Sequence, residues 1–269
     1  MADPRGLVVA ITGGARGIGA ATAATLAEAG ATVAIGDIDG EAAAATAAEL
    51  PGAIGLPLDV TDAESHQRFL DAVAQRLGAV DVLVANAGVM WVGRFEDEPV
   101  TATRRMFAVN VEGVINGMRL ATPAMRKRGR GQIVVVASVA SRLAPRGEAS
   151  YAATKHAVLG YCTAVRQELH RSGVDVSVLM PTVVETDLAA GTSSGIVKRL
   201  PPRHVADAVL SLVRRPRPEL YLPKHVGVSI RFLDLVPARL RGFCQRLLVV
   251  DQTSSDPGTR EDYQRRSLE

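Results

Sequence analysis

The stretch Leu7-Val8-Val9-Ala10-Ile11-Thr12-Gly13-Gly14-Ala15-Arg16-Gly17-Ile18-Gly19 runs from an apolar segment through a glycine turn into an alanine-rich helical pattern that reaches about Ala29. An unbroken apolar run of this length reads as a strand covered on both faces, as in a parallel sheet. Glycines at the turn let the backbone reverse tightly and let a ligand approach closely, and the free N–H groups at the helix start attract a pyrophosphate. A glycine trio by itself is weak, but here both flanking elements are of the required kind. Gly13, Arg16, Gly17, Ile18 and Gly19 are therefore expected to cradle a dinucleotide.

The second apolar segment, Thr32 to Gly36, ends at Asp37. A carboxylate at that place accepts both hydrogen bonds of an adenosine ribose diol and repels a 2′-phosphate, so NAD is expected over NADP. Arg16 argues the other way, because a guanidinium beside the turn could pair with that phosphate. Asp37 outweighs it, since the arginine also suits a plain pyrophosphate contact.

Downstream the pattern alternates: a helix from about Gly40 to Leu50, a strand near Ala53 to Leu58, a helix from about Asp62 to Leu77, and a strand Val80 to Ala85. Alternation of this kind predicts right-handed crossovers and a doubly wound α/β domain, a parallel Rossmann-type sheet between two helical layers. Ligands of such sheets lie beyond the carboxyl ends of the strands. Asp59, Asn86 and Ser138 all fall at strand ends. Each alone could be a cap or turn residue, but their shared edge favours a site.

Residues from about Thr101 to Lys127 read as one long helix with Asn110 in its middle, where asparagine competes for backbone hydrogen bonds and so needs a surface position or a task. A second long helix, about Ser150 to Arg171, carries Tyr151 and Lys155 one turn apart on the same face. An ammonium close to a phenol stabilises the phenolate and brings it toward working pH. The strand Asp175 to Met180, the breaker Pro181, a Gly/Ser/Thr-rich stretch Thr182 to Leu200 that reads as a mobile lid, a helix Arg203 to Arg214 and a short strand Glu219 to Leu222 complete the pattern.

Composition narrows the class. The 269 residues carry a net charge of +3, too small to argue for a nucleic-acid partner. The N-terminus enters the first strand without the features of a secretory signal, and no apolar run approaches a membrane span, which favours a soluble, cytoplasmic protein. Cys162 and Cys244 lie in apolar patterns, too few and too distant for a metal cluster, so no metal is expected.

Taken together, Thr12 to Gly19, Asp59, Asn86-Ala87-Gly88, Asn110, Ser138, Tyr151, Lys155, and Pro181 with Thr186 resemble the short-chain dehydrogenase/reductase family, in order and spacing, over about residues 5 to 225. The resemblance implies a catalytic tetrad of Asn110, Ser138, Tyr151 and Lys155. Tyr151 would exchange a proton with the substrate oxygen, Ser138 would fix that oxygen, Lys155 would bind ribose hydroxyls and lower the tyrosine pKa, and Asn110 would hold a relay water. It also implies that Asp59 and Val60 hold the adenine, that Asn86, Ala87 and Gly88 line the cleft, and that Pro181, Val184 and Thr186 meet the nicotinamide end. Homodimers or homotetramers are usual in the family. Two positions depart from its pattern: Ala85 stands where asparagine is usual, and Thr182 where glycine is.

The substrate walls, Val89 to Trp91, Val139 to Pro145 and the stretch after Val183, are mostly apolar, which points to a hydrophobic secondary alcohol or ketone. For Met90 and Trp91 plain core packing competes evenly. The alternatives are an NADPH-dependent ketoreductase acting on an acyl or similar carbonyl, and a non-catalytic cofactor-binding protein. The chain divides into a dehydrogenase domain 1–225, an amphipathic helical extension 226–250 and a polar, flexible tail 251–269. For the extension, with Val226, Ile230 and Leu233 interleaved with Arg231, Arg239, Arg241 and Arg246, three roles compete: a flap over the pocket, a subunit contact, or a peripheral membrane foot.

Overall fold

The computed structural model describes residues 3–193, 198–237, 240, 249–253 and 257–268. Seven parallel strands form one sheet in the order β3-β2-β1-β4-β5-β6-β7. They are β1 (Val8–Thr12), β2 (Thr32–Asp37), β3 (Ile54–Pro57), β4 (Val82–Ala85), β5 (Gly131–Val136), β6 (Val174–Pro181) and β7 (Glu219–Leu222). Strand order reverses between β1 and β4, so the crevice for a ligand opens at their carboxyl ends.

The strands are apolar at nearly every position because both faces are covered. Val8 and Ala10 of β1, Leu83 and Ala85 of β4, and Ile133 and Val135 of β5 point into one core. Their neighbours Val9, Ile11, Val82, Val84, Val134 and Val136 point into the other, as a period of two requires. Helices α1 (Gly17–Glu28), α2 (Gly40–Ala48) and α7 (Pro202–Arg214) contribute to the second core; α3 (Ala63–Arg76), α5 (Gly113–Arg128) and α6 (Ala149–Glu168) to the first. Asp39 and Asp62 cap α2 and α3 by accepting from Ala42 N and Glu64 N, and Gly129 closes α5 in the left-handed region. His66 of α3 is wholly buried against Gly117 of α5. Neither of its ring nitrogens finds a partner in good hydrogen-bond geometry, and burial pushes its pKa down to about 4, with only the Val60 backbone acting the other way.

Three differences from the expected pattern matter for function. The helix expected over 101–127 is broken into α4 (Val100–Phe107) and α5 by a π turn, Ala108–Glu112, with Asn110 at its centre. Helical periodicity does not register one extra residue in a turn, and such turns often mark functional positions. The extension begins with α8 (Lys224–Asp234), whose Ile230 is buried while Val228 and Phe232 face outward; Arg239, Arg241 and Arg246 lie outside the described residues. Where a flexible tail was expected, α9 (Pro257–Leu268) packs onto the body, burying Arg260, Tyr263 and Leu268. Its polar composition concealed this, because hydrogen bonds to loop backbone supply much of what holds it. Among the described residues no helix is long and apolar enough to cross a membrane, and Cys162 is a buried core thiol pushed up to about 12. Cys244 lies outside the described residues.

Candidate active site

A continuous cavity of about 970 Å³ runs along the carboxyl edge of the sheet from Asp37, past Tyr151, to α8 and α9. Of the expected site residues, Gly13, Arg16, Gly17, Ile18, Asp37, Asp59, Val60, Asn86, Ala87, Gly88, Ser138, Tyr151, Lys155, Pro181, Val184 and Thr186 all line it. Gly19 and Asn110 stand behind its wall.

The turn after β1 is built around two close approaches. Gly13 has φ +63°, and a Cβ there would lie 2.7 Å from Ala87 Cα; a Cβ on Gly19 would lie 2.1 Å from the Gly13 carbonyl oxygen. Only glycine fits either place. The turn is tied to the β4 loop by side chains: Thr12 Oγ1 accepts from the N–H groups of Asn86 (3.1 Å) and Ala87 (3.2 Å), and Asn86 Nδ2 donates to the carbonyls of Thr12 (3.1 Å) and Gly13 (2.8 Å). At the end of β2, Asp37 Oδ2 accepts from Ala15 N at 3.0 Å and Oδ1 from Asp39 N at 3.2 Å, so its carboxylate is held at the cavity rim. Arg16 pairs with Asp39. At the end of β3, Asp59 Oδ1 accepts from Thr61 N and Oγ1, a turn bond that leaves its second oxygen uncommitted. A glycine floor, a helix start whose first turn carries no acidic side chain and an aligned carboxylate at the rim fit a dinucleotide.

Asn110 is fully buried and paired: Oδ1 accepts from Val89 N at 2.8 Å, and Nδ2 donates to Val89 O (2.9 Å) and Thr154 Oγ1 (3.1 Å). The π turn thus aims Asn110 so that it ties the β4 loop to α6. A Cβ on Gly88 would sit 3.3 Å from Asn110 Oδ1 and 3.6 Å from Lys155 Nζ, which places these groups around one small space. Ser138, after β5, accepts from Ala140 N at 3.1 Å. Lys155 Nζ lies over the Tyr151 ring, 5.5 Å from its centroid.

The expected lowering of the tyrosine pKa by Lys155 is absent. Burial raises the Tyr151 phenol above its ordinary value, the Glu148 carboxylate adds to this, and a hydrogen bond with Ser138 opposes it. The physical reason is burial of both groups: it raises the phenol and pushes Lys155 itself down to about 8, so the ammonium is weakly held.

Sequence reasoning missed the far wall. Glu148 lies just before α6, is 8% exposed, and lines the cavity; burial raises it to about 7, against the pull of Arg260. Arg260 of α9 donates to the carbonyls of Leu188 (2.8 Å), Ala190 (3.1 Å) and Met90 (2.8 Å). Tyr263 accepts from Met90 N at 3.3 Å, and Gln264 donates to Val92 O at 3.0 Å. The i, i+3, i+4 spacing of Arg260, Tyr263 and Gln264 was the one signal available, and in a polar tail it reads as solvated surface. From α8, His225, Val226, Ser229, Ile230 and Leu233 line the cavity, so one face of this helix covers the pocket. Met90 lines it too; Trp91 does not, and is packed with Met106 and Ala102 in a small core of its own.

The sequence profile of the short chain dehydrogenase family matches residues 7–196. The chain is 34% identical over 244 residues to the probable oxidoreductase EphD of Mycobacterium tuberculosis, a match that takes in 80% of this chain and 41% of that protein. It thus spans less than half the length of that relative. It is 36% identical over 198 residues to the 2,5-dichloro-2,5-cyclohexadiene-1,4-diol dehydrogenase LinX of Sphingobium indicum, covering 72% of this chain and 79% of the relative. A short chain dehydrogenase/reductase from Burkholderia phymatum, solved in complex with NAD, superposes with a TM-score of 0.80 at 27% identity, covering 86% of this chain and 94% of that one.

Proposed function

Because the chain belongs to the short-chain dehydrogenase/reductase family, we propose that it is an NAD-dependent oxidoreductase acting on a secondary alcohol or ketone with an apolar frame, with Tyr151 as acid and base. The observation that carries this is that buried Tyr151 and Lys155 and half-buried Ser138 line the same cavity whose other end is the glycine turn. The nicotinamide, when bound, supplies or accepts the hydride. Gly13, Arg16, Gly17, Ile18 and Gly19 would hold its pyrophosphate, Asp37 its adenosine ribose, and Asp59 with Val60 the adenine. Asn86, Ala87, Gly88, Pro181, Val184 and Thr186 would line the path to the nicotinamide.

The proton work falls to this chain's own side chains. Tyr151, held protonated by burial, donates to a carbonyl oxygen without first having to ionise, and in the reverse direction the phenolate must be formed. Ser138 donates to the same oxygen and orients it. Lys155, buried and near 8, offers an ammonium that balances charge as the phenol gives up its proton, and it takes part in binding ribose hydroxyls. Asn110 holds the β4 loop against α6 and so keeps Lys155 at the cleft; the relay water is the family's expectation for the space beside Gly88.

The Asp37 carboxylate supports NAD, and the pairing of Arg16 with Asp39 weakens the competing NADP reading, because that guanidinium is already engaged. A ketoreductase using NADPH remains the second reading. A homo-oligomer is the quaternary state we propose, by family habit. The decisive experiment replaces Tyr151 by Phe and measures NADH binding by fluorescence beside turnover: binding is retained and turnover falls by about 10²-fold or more. Unaltered turnover would sink the assignment.

A further inference from the structure

Glu148 is a buried ionisable side chain of the substrate region that the chemistry above leaves idle. At the N-cap of α6 a carboxylate ordinarily accepts from the first turn, yet this one makes no capping bond. Among the described residues no donor hydrogen-bonds to its carboxylate, although the residue is only 8% exposed. Because the residue lines the cavity, the oxygens of its carboxylate are open to accept from a group bound there. It lines the cavity three residues before Tyr151, which lines it too.

We propose that Glu148 accepts a hydrogen bond from a second hydroxyl of the substrate while Tyr151 works on the first oxygen, so that this enzyme takes diols or hydroxyketones on an apolar ring or chain. Three features of the site point to that class. The carboxylate at the N-cap and the phenol three residues on, in the first turn of α6, both line the cavity, a spacing that one small molecule can bridge. The remaining walls, Val89, Met90, Leu143, Ile230 and Leu233, suit a hydrocarbon frame. The buried Arg260 guanidinium, whose charge acts on Glu148, favours a neutral hydroxyl over an ammonium, which it would repel. This deepens the dehydrogenase reading and rests on Tyr151 as the proton carrier.

The test compares cyclohexanol with the cis and trans cyclohexanediols carrying the second hydroxyl at each ring position. The full-length wild type, Glu148→Gln and Glu148→Ala are used with saturating NAD. The readout is the ratio of kcat/KM for each diol to that for cyclohexanol. The wild type favours at least one diol by about tenfold, the size of one hydrogen bond to a charged acceptor. The preference shrinks in Glu148→Gln, whose amide oxygen still accepts, and vanishes in Glu148→Ala. No preference in the wild type, or the same preference in Glu148→Ala, overturns the proposal. Thermal protection of the NAD-loaded protein by diol against cyclohexanol gives the same comparison without turnover. If no compound is turned over with NAD or with NADP while the diol still protects the wild type and not Glu148→Ala, Glu148 keeps its role and the dehydrogenase reading fails instead. Equal protection of both proteins removes Glu148.

Discussion

The buried imidazole of His66 makes stability depend on pH in a way that can be worked out. Unfolded, the histidine takes a proton below about 6.5; folded, it resists until about 4. Between those values the unfolded chain binds the extra proton, so folding free energy falls as pH drops through the window and the loss is complete near pH 4. At roughly 1.4 kcal/mol per pH unit, the difference between the two values makes the full cost about 3 kcal/mol, a large part of the stability of an ordinary domain. The assay is urea denaturation at a series of pH values for the wild type and His66→Leu, which keeps an apolar group of similar bulk against Gly117. Carboxylates titrate in both proteins and cancel in the difference. The wild type should lose about 3 kcal/mol more than the variant on going from above 6.5 to 4. Parallel curves would refute the reasoning, because they would mean that the native state accommodates the charge. Acid would also reach the proposed cofactor site early, since His66 lies beside the Val60 backbone at the proposed adenine edge.

Two further substitutions test the proposed cofactor end. Gly19→Ala puts a methyl 2.1 Å from the Gly13 carbonyl oxygen, so the turn must open; overpacking of about 1–3 kcal/mol and a loss of NAD affinity are expected, read by thermal denaturation and NAD titration, whereas full affinity would show that the turn yields. Asp37→Ser removes the charge that a 2′-phosphate would meet, a repulsion of about 1–4 kcal/mol across about 4 Å depending on the local dielectric; the ratio of kcat/KM for NADP to that for NAD should rise tenfold or more, and an unchanged ratio would remove Asp37 from cofactor selection.

The sheet was legible because strands buried on both faces are apolar nearly throughout, as β1 and β5 show, where Thr12 and Gln132 are the polar exceptions. The glycine turn was legible because glycine is demanded by geometry that no other residue satisfies. The π turn at Asn110 was not, since one added backbone unit leaves the apolar spacing of α4 and α5 nearly intact. Trp91 could not be sorted between wall and core, because both demand an aromatic at a buried place, and its neighbour Met106 comes from a distant helix. The pairing of Tyr151 with Lys155 was foreseen in position but not in electrostatics: spacing puts them on one face, while burial sets the charge of each. Arg260 and Tyr263 escaped because their partners are loop carbonyls and amides, which leave no trace in side-chain pattern.

Arg260 also bears on kinetics. One guanidinium grips Met90 on one side of the pocket and both Leu188 and Ala190 on the other, so the two rims are fastened by a single knot. Neither can swing away alone while that knot holds. Any opening of that wall would therefore need one event, the release of a buried arginine from three carbonyls.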